Sequence, residues 1–202
     1  MHSPSRRNSF GRRINRGIAL NSRTILRSYN RSNVAARELL SWVFVSELLS
    51  PSSDIWIAVA WISDVLIIDS TDGSFDAVTN HETPNRVFLS DFIVNVAKRG
   101  TSVKIVTRPD ISNLTFVNAV KRKSRGLECR KNISILISDV IHQKNIVGNN
   151  WVMDGSMNLT ANGLDNNVES LSLYVDPVRA SETRTNLYQT WANQLQVLTD
   201  VD

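Results

Sequence analysis

Residues 141–169, IHQKNIVGNNWVMDGSMNLTANGLDNNVE, form the stretch from which the rest of the chain is placed. His142 and Lys144 stand two apart. Successive side chains on a β-strand alternate faces, so this spacing aims the imidazole and the ammonium at one side of a sheet. Ser156 and Asn158 repeat the spacing beyond a Gly148-Asn149-Asn150 turn, which joins strands expected over 140–147 and 151–153 into a hairpin. Gly155, just before Ser156, suits a close backbone approach. Glu169 lies in a further apolar strand expected over 167–175, where a carboxylate can reach a histidine. One site can collect all five side chains. They are the residue types that metal-free phosphodiester chemistry needs: charge neutralisation, a nucleophile and groups that hold them in place.

The order H-x-K, then G-S-x-N, then an acid eleven residues beyond Asn158, resembles the phospholipase D superfamily and, within it, the single-motif nuclease-like members. The resemblance implies a metal-independent phosphodiesterase that cuts DNA or RNA. His142 would attack phosphorus to give a phosphohistidine, with Lys144 and Asn158 on the non-bridging oxygens. Ser156 would support the phosphate or the lysine, and Glu169 would hydrogen-bond the second ring nitrogen of His142. The chemistry also needs a second histidine as general acid, and the chain has one H-x-K. A homodimer with a twofold axis between two copies of His142 supplies it. One position departs from the family pattern: Asn149 stands five residues after Lys144, where the family carries an Asp that supports the local fold. Asp154 lies ten residues after Lys144 and does not take that place. Relatives of this kind also occur in bacterial systems that modify or restrict DNA against phage, which makes other proteins of such a defence system possible partners.

At 202 residues and 42% hydrophobic content the chain suits one domain, expected over residues 33–202. A single cysteine, Cys129, excludes an internal disulfide and a cysteine zinc site, and favours a reducing, cytoplasmic setting. No cluster of Asp, Glu and His suggests a divalent cation, so neither metal nor other cofactor is expected. No run approaches the roughly 18 to 20 apolar residues of a membrane helix. The net charge of +4 is unevenly spread. Arg6, Arg7, Arg12, Arg13, Arg16, Arg23, Arg27, Arg31 and Arg37 precede the first acid, so residues 38–202 hold 23 − 9 = 14 basic and 19 acidic groups. Residues 1–32 therefore read as an Arg-rich arm, with a short helical piece expected over 18–26. Such an arm grips phosphate backbones, with Arg6, Arg7, Arg12 and Arg13 as its first cations. A solvated tail and an organellar transit peptide share this composition.

Helical spacing of Leu39, Leu40, Val43, Phe44 and Leu48 predicts a helix over 33–49, closed by Ser50-Pro51. The apolar run 54–63 predicts a strand buried on both faces. A polar stretch, 69–84, reads as a loop or hairpin and holds His81, as a surface histidine or as a second catalytic or metal-binding one. Leu89, Phe92, Ile93 and Val96 mark a second helix, 102–107 a strand, and 113–125 a third helix with Leu114, Val117 and Val120 inside. Its basic end, with Lys121, Arg122 and Lys123, suits either the helix dipole or a nucleic-acid contact. A strand over 133–137 follows, and a last helix begins at Asp176-Pro177 with Leu187, Trp191 and Leu195 as its apolar stripe. Strands alternating with helices give an α/β sandwich, a central mixed β-sheet flanked by helices.

The bland readings are specific too. A lone histidine in a strand is usually structural, and G-S-x-N alone is a turn before a helix cap. Two other functions share the residues: a lipid phosphodiesterase, with Trp56 and Trp61 near an apolar entrance, and a catalytically silent nucleic-acid-binding subunit of a larger complex.

Overall fold

In the computed structural model, residues 21–26, 34–71, 73, 85–165, 167 and 169–199 are described. Why residues 55–62 are apolar without a break is visible at once. Strand β2 (Asp54–Val59) lies mid-sheet, with Ile55, Ile57 and Val59 in one core and Trp56 and Ala58 in another. Burial on both faces removes the polar alternation that a half-exposed strand would show.

The eight-stranded sheet has the order β1-β9-β8-β7-β2-β5-β6-β10. Its elements are β1 (Asn21–Leu26), β2, β5 (Ser102–Thr107), β6 (Ile133–Ile137), β7 (Lys144–Val147), β8 (Val152–Gly155), β9 (Ser170–Val175) and β10 (Gln196–Val197). A separate antiparallel pair joins β3 (Leu66–Asp69) to β4 (Arg86–Phe88). Parallel pairing links β2 to β5 and β5 to β6, whereas β7, β8 and β9 run antiparallel to their neighbours.

Helices α1 (Val34–Leu49), α2 (Leu89–Lys98) and α3 (Ile111–Ser124) supply Phe44, Phe92 and Phe116 to the larger core. The Phe44 and Phe92 rings are 4.5 Å apart. A short helix α4 (Ala161–Asp165) adds Leu164. On the opposite face α5 (Pro177–Trp191) lays Ala180, Leu187 and Trp191 against Trp56, Val106, Val147 and Val152. Each fully buried large apolar side chain contributes about 1.5–3 kcal/mol. The capping expected of α5 is present: Asp176 accepts from the Val178 and Arg179 N–H groups, and Pro177 occupies the first turn.

Two expectations change, over 21–26 and at the start of α3. Residues 21–26, expected to be helical, form a strand that pairs antiparallel with β9. Pairing satisfies the outer N–H and C=O groups of β9, a tertiary demand that overrides a weak local preference. The expected loop over 69–84 is framed by β3 and β4, and its His81 lies outside the described residues. Helix α3 starts earlier than expected because Asp110 caps it, accepting from the Ser112 N–H. Its inner face is accordingly Asn113, Phe116, Val117 and Val120, while Leu114 is 41% exposed. Among the described residues, no helix is long and apolar enough to cross a membrane.

Candidate functional site

The candidate residues gather at one end of the sheet, where the parallel strands β2 and β5 finish. Lys144, first residue of β7, pairs with Val59, last of β2. Gly155 ends β8 opposite Leu171 of β9, and the Ser156 N–H continues the ladder to the Ser170 carbonyl at 3.1 Å. Three neighbouring strands thus bring His142 and Lys144, Ser156 and Asn158, and Glu169 to one edge. Here β2 has a parallel neighbour on one side and an antiparallel one on the other, the kind of strand-order break beyond which open α/β sheets hold ligands.

His142 is exposed and lies in the segment just before β7 rather than inside the strand. Its carbonyl accepts from Lys144 Nζ at 3.0 Å. Among the described residues no carboxylate pairs with Lys144, and none hydrogen-bonds the His142 ring. Asn158 is half-buried, and its Oδ1 accepts from the Trp61 N–H at 3.4 Å, which leaves its two Nδ2 hydrogens for an anion. Glu169 does not lie on the His142 ring as expected. It accepts from the Ser156 hydroxyl and, at 3.4 Å, from Asn167 Nδ2. The cause is register: Glu169 immediately precedes Ser170, whose N–H donates to Ser156 Oγ at 3.0 Å, so the carboxylate is delivered across the ladder to Ser156.

Glycine is required at two places. At Gly155, φ is +152°, and a Cβ would run into the Ser170 carbonyl. At Gly163 a Cβ would collide with the carbonyl of Asn158, so α4 can pack beneath the Asn158 loop only with glycine there.

Asn149 sits in the β7–β8 turn and works in the local fold. Its Oδ1 accepts from Ser53 Oγ at 3.1 Å and its N–H donates to Ser52 Oγ at 2.8 Å. Ser52 in turn donates N–H and hydroxyl to Glu47 at 2.7 and 2.8 Å, and Trp151 Nε1 donates to the same carboxylate at 2.6 Å. Asn149 thus ties the β7–β8 turn to the segment before β2. Asp154 is committed elsewhere, to Arg179 on α5 at 2.7 Å.

Two residues that position the site escaped the sequence reading. Asn113, fully buried, accepts from the Ile62 N–H at 2.7 Å and donates to the Ala60 and Arg108 carbonyls, both at 2.9 Å. It therefore clamps the segments that leave β2 and β5. Glu47, 3% exposed, anchors the hairpin turn. Its place on the inner stripe of α1, beside Val43, Phe44 and Leu48, was the available signal, because an acid on an apolar stripe needs a buried partner. Asn113 carries no such signal at the first position of a helix expected over 113–125.

Of the basic cluster, Lys123 is held by Asp91 at 2.7 Å, Ser90 Oγ at 2.8 Å and Asp64 at 3.9 Å, so it ties α3 to α2. Lys121 is half-buried and Arg122 exposed. Arg6, Arg7, Arg12 and Arg13 lie outside the described residues. At the N-terminus of α3, hydrogen bonds from the Ser112 hydroxyl and N–H hold the Asp110 carboxyl below its ordinary range. Burial pushes the Cys129 thiol up, which suits an inert structural cysteine.

The architecture is a helix-flanked mixed sheet with polar side chains converging at a strand-order break. The chain belongs to the phospholipase D superfamily: the family model described as cardiolipin synthase, PLD-like domain, matches residues 45–191, well over half of the sequence. Solved structures share the fold. Nuc from Salmonella typhimurium, a phospholipase D family member, is 17% identical with a TM-score of 0.56, over 89% of this chain and 98% of its own. NucT from Helicobacter pylori is 16% identical with a TM-score of 0.57, over 89% and 99%. Phosphatidylserine synthase of Haemophilus influenzae Rd KW20 is 11% identical with a TM-score of 0.52, over 89% of this chain and 40% of its own. Among curated proteins the sequence finds no match.

Proposed function

We propose that this protein is a metal-independent nuclease that cuts DNA or RNA through a phosphohistidine, in an active site shared by two copies of the chain. The observation that carries the reading is the meeting, at one end of β7, β8 and β9, of an exposed imidazole, an ammonium that no carboxylate pairs with among the described residues, and a half-buried amide. His142 attacks phosphorus and the P–O bond to the leaving strand breaks. Lys144 neutralises the non-bridging oxygens, and Asn158 donates hydrogen bonds to them. His142 of the second copy protonates the leaving alkoxide, then takes a proton from the water that hydrolyses the phosphohistidine. Ser156, whose one hydroxyl proton is given to Glu169, steadies Lys144 by accepting from its ammonium. The Arg-rich stretch, with Arg6, Arg7, Arg12 and Arg13, and exposed Arg122 draw in the polyanion.

The test is cleavage of labelled single- and double-stranded DNA and RNA by the purified full chain. Activity that persists in EDTA and vanishes in His142→Ala supports the reading. A dimer that binds these strands yet cleaves none of them overturns the enzyme and leaves a binding subunit. Hydrolysis of phospholipid vesicles in place of nucleic acid makes it a lipid phosphodiesterase.

A further inference from the structure

A second feature shares the end of the sheet with His142 and takes no part in the proposed chemistry. Trp61, in the segment leaving β2, is half-buried, and the Arg108 guanidinium carbon lies 5.5 Å from its ring centroid. Arg108, the first residue after β5, is fixed by Nε and Nη2, which donate to the Asp139 carbonyl at 3.1 and 2.7 Å. Together with Pro109, Asp110 and Asp139 they line a cleft of about 300 Å³. That volume is at the small end of ligand pockets, which run from ~300 to 1,000 Å³, so it suits one ring system.

Position and rigidity tie this cleft to the phosphate site. The Trp61 N–H donates to Asn158 Oδ1, so the amide that would grip the phosphate touches the backbone carrying the ring. Asn113 locks the carbonyls of Ala60 and Arg108 from beneath, so ring and guanidinium are held before any ligand arrives.

The lining chemistry selects among ligands. An aromatic face beside a guanidinium plane is a stacking platform, and every nucleobase has a face to offer it. The carboxylates of Asp110 and Asp139 are acceptors only; they repel phosphate and favour the amino edge of a base. A cationic headgroup would have to displace Arg108 from the ring, and an acyl chain would have to desolvate two acids and an arginine.

We propose that the Trp61–Arg108 cleft is a nucleobase shelf, which stacks one base of a single strand beside the phosphate at Asn158 and prefers bases with an exocyclic amine. The proposal rests on the nuclease reading, and the experiment separates the two. The full chain bearing His142→Ala, which cannot cleave, is titrated at one fixed salt concentration with fluorescent oligo-dC, oligo-dT and an abasic strand of equal length. Oligo-dC should bind about 5- to 100-fold more tightly than the abasic strand, the range that one base–aromatic stack supplies. Trp61→Ala should bring oligo-dC down to the abasic level, and Trp61→Phe should keep most of the difference. Arg108→Lys, which keeps the charge and loses the planar stack, should weaken oligo-dC binding alone. Asp139→Ala, which removes the acceptor, should shrink the preference for oligo-dC over oligo-dT. Equal binding of base-bearing and abasic strands overturns the shelf and leaves the nuclease reading intact, whereas binding of no strand at all overturns both. Light scattering that shows Trp61→Ala to be a monomer where the parent is a dimer assigns the ring to the interface between copies and also overturns the shelf.

Discussion

Ser156 and Glu169 form a reciprocal unit across the β8–β9 ladder: the Ser156 hydroxyl donates to the Glu169 carboxylate and accepts the N–H of Ser170 at 3.0 Å. The acid of the motif thus acts on the serine, and among the described residues no carboxylate hydrogen-bonds the His142 imidazole. Hydrogen bonds to a charged group contribute about 1.5–3 kcal/mol. Glu169→Gln and Ser156→Ala should therefore each lower kcat/KM by about 10- to 100-fold, and the double variant should be little worse than either. Effects that multiply in the double variant would show that the two residues act separately.

Asn113 satisfies three backbone groups from a fully buried position. Asn113→Ala leaves the Ile62 N–H and two carbonyls without it, each at a cost of about 1–3 kcal/mol. Urea denaturation should show a loss of about 3 kcal/mol. Asn113→Asp keeps the acceptor and loses both donors, so it should rescue only part of that loss.

Glu47 and Asn149 are two ends of one network through Ser52. Glu47→Ala strands the Ser52 N–H, the Ser52 hydroxyl and the Trp151 indole N–H, and should cost about 3 kcal/mol or more in thermal or urea unfolding. Asn149→Ala removes a single acceptor at an exposed bond and should cost about 1 kcal/mol. Asn149→Asp restores the residue type of the family pattern and should leave cleavage within about threefold of the parent, because the position serves the turn. A gain of activity far beyond that would give the position a chemical role.

Asp110 titrates lower in the folded chain than its ordinary value of 3.8 because Ser112 donates to the carboxylate. Its contribution is fully present above that value and is lost as pH falls through the lower, folded-state value. Melting temperatures of the parent and Asp110→Ala should therefore differ at neutral pH and converge in acid below about pH 3.8. A gap that persists unchanged in acid would mean that the loop, and not the charged cap, supplies the difference.

The sequence by itself determined the strands over 102–107 and 133–137 and the capped start of α5 at Asp176-Pro177, because these signals are local. It also determined that H-x-K and G-S-x-N stand on the two sides of one hairpin turn, although His142, Ser156 and Asn158 lie just outside β7 and β8. What only the tertiary structure decided is long-range. The pairing of β1 with β9 arises from an edge that must be covered. The turn of Glu169 toward Ser156 is a matter of ladder register, which no spacing along the chain encodes. Asn113 under Ala60, and Trp61 against Arg108, join segments about fifty residues apart, and their partners exist only once β2 and β5 lie side by side.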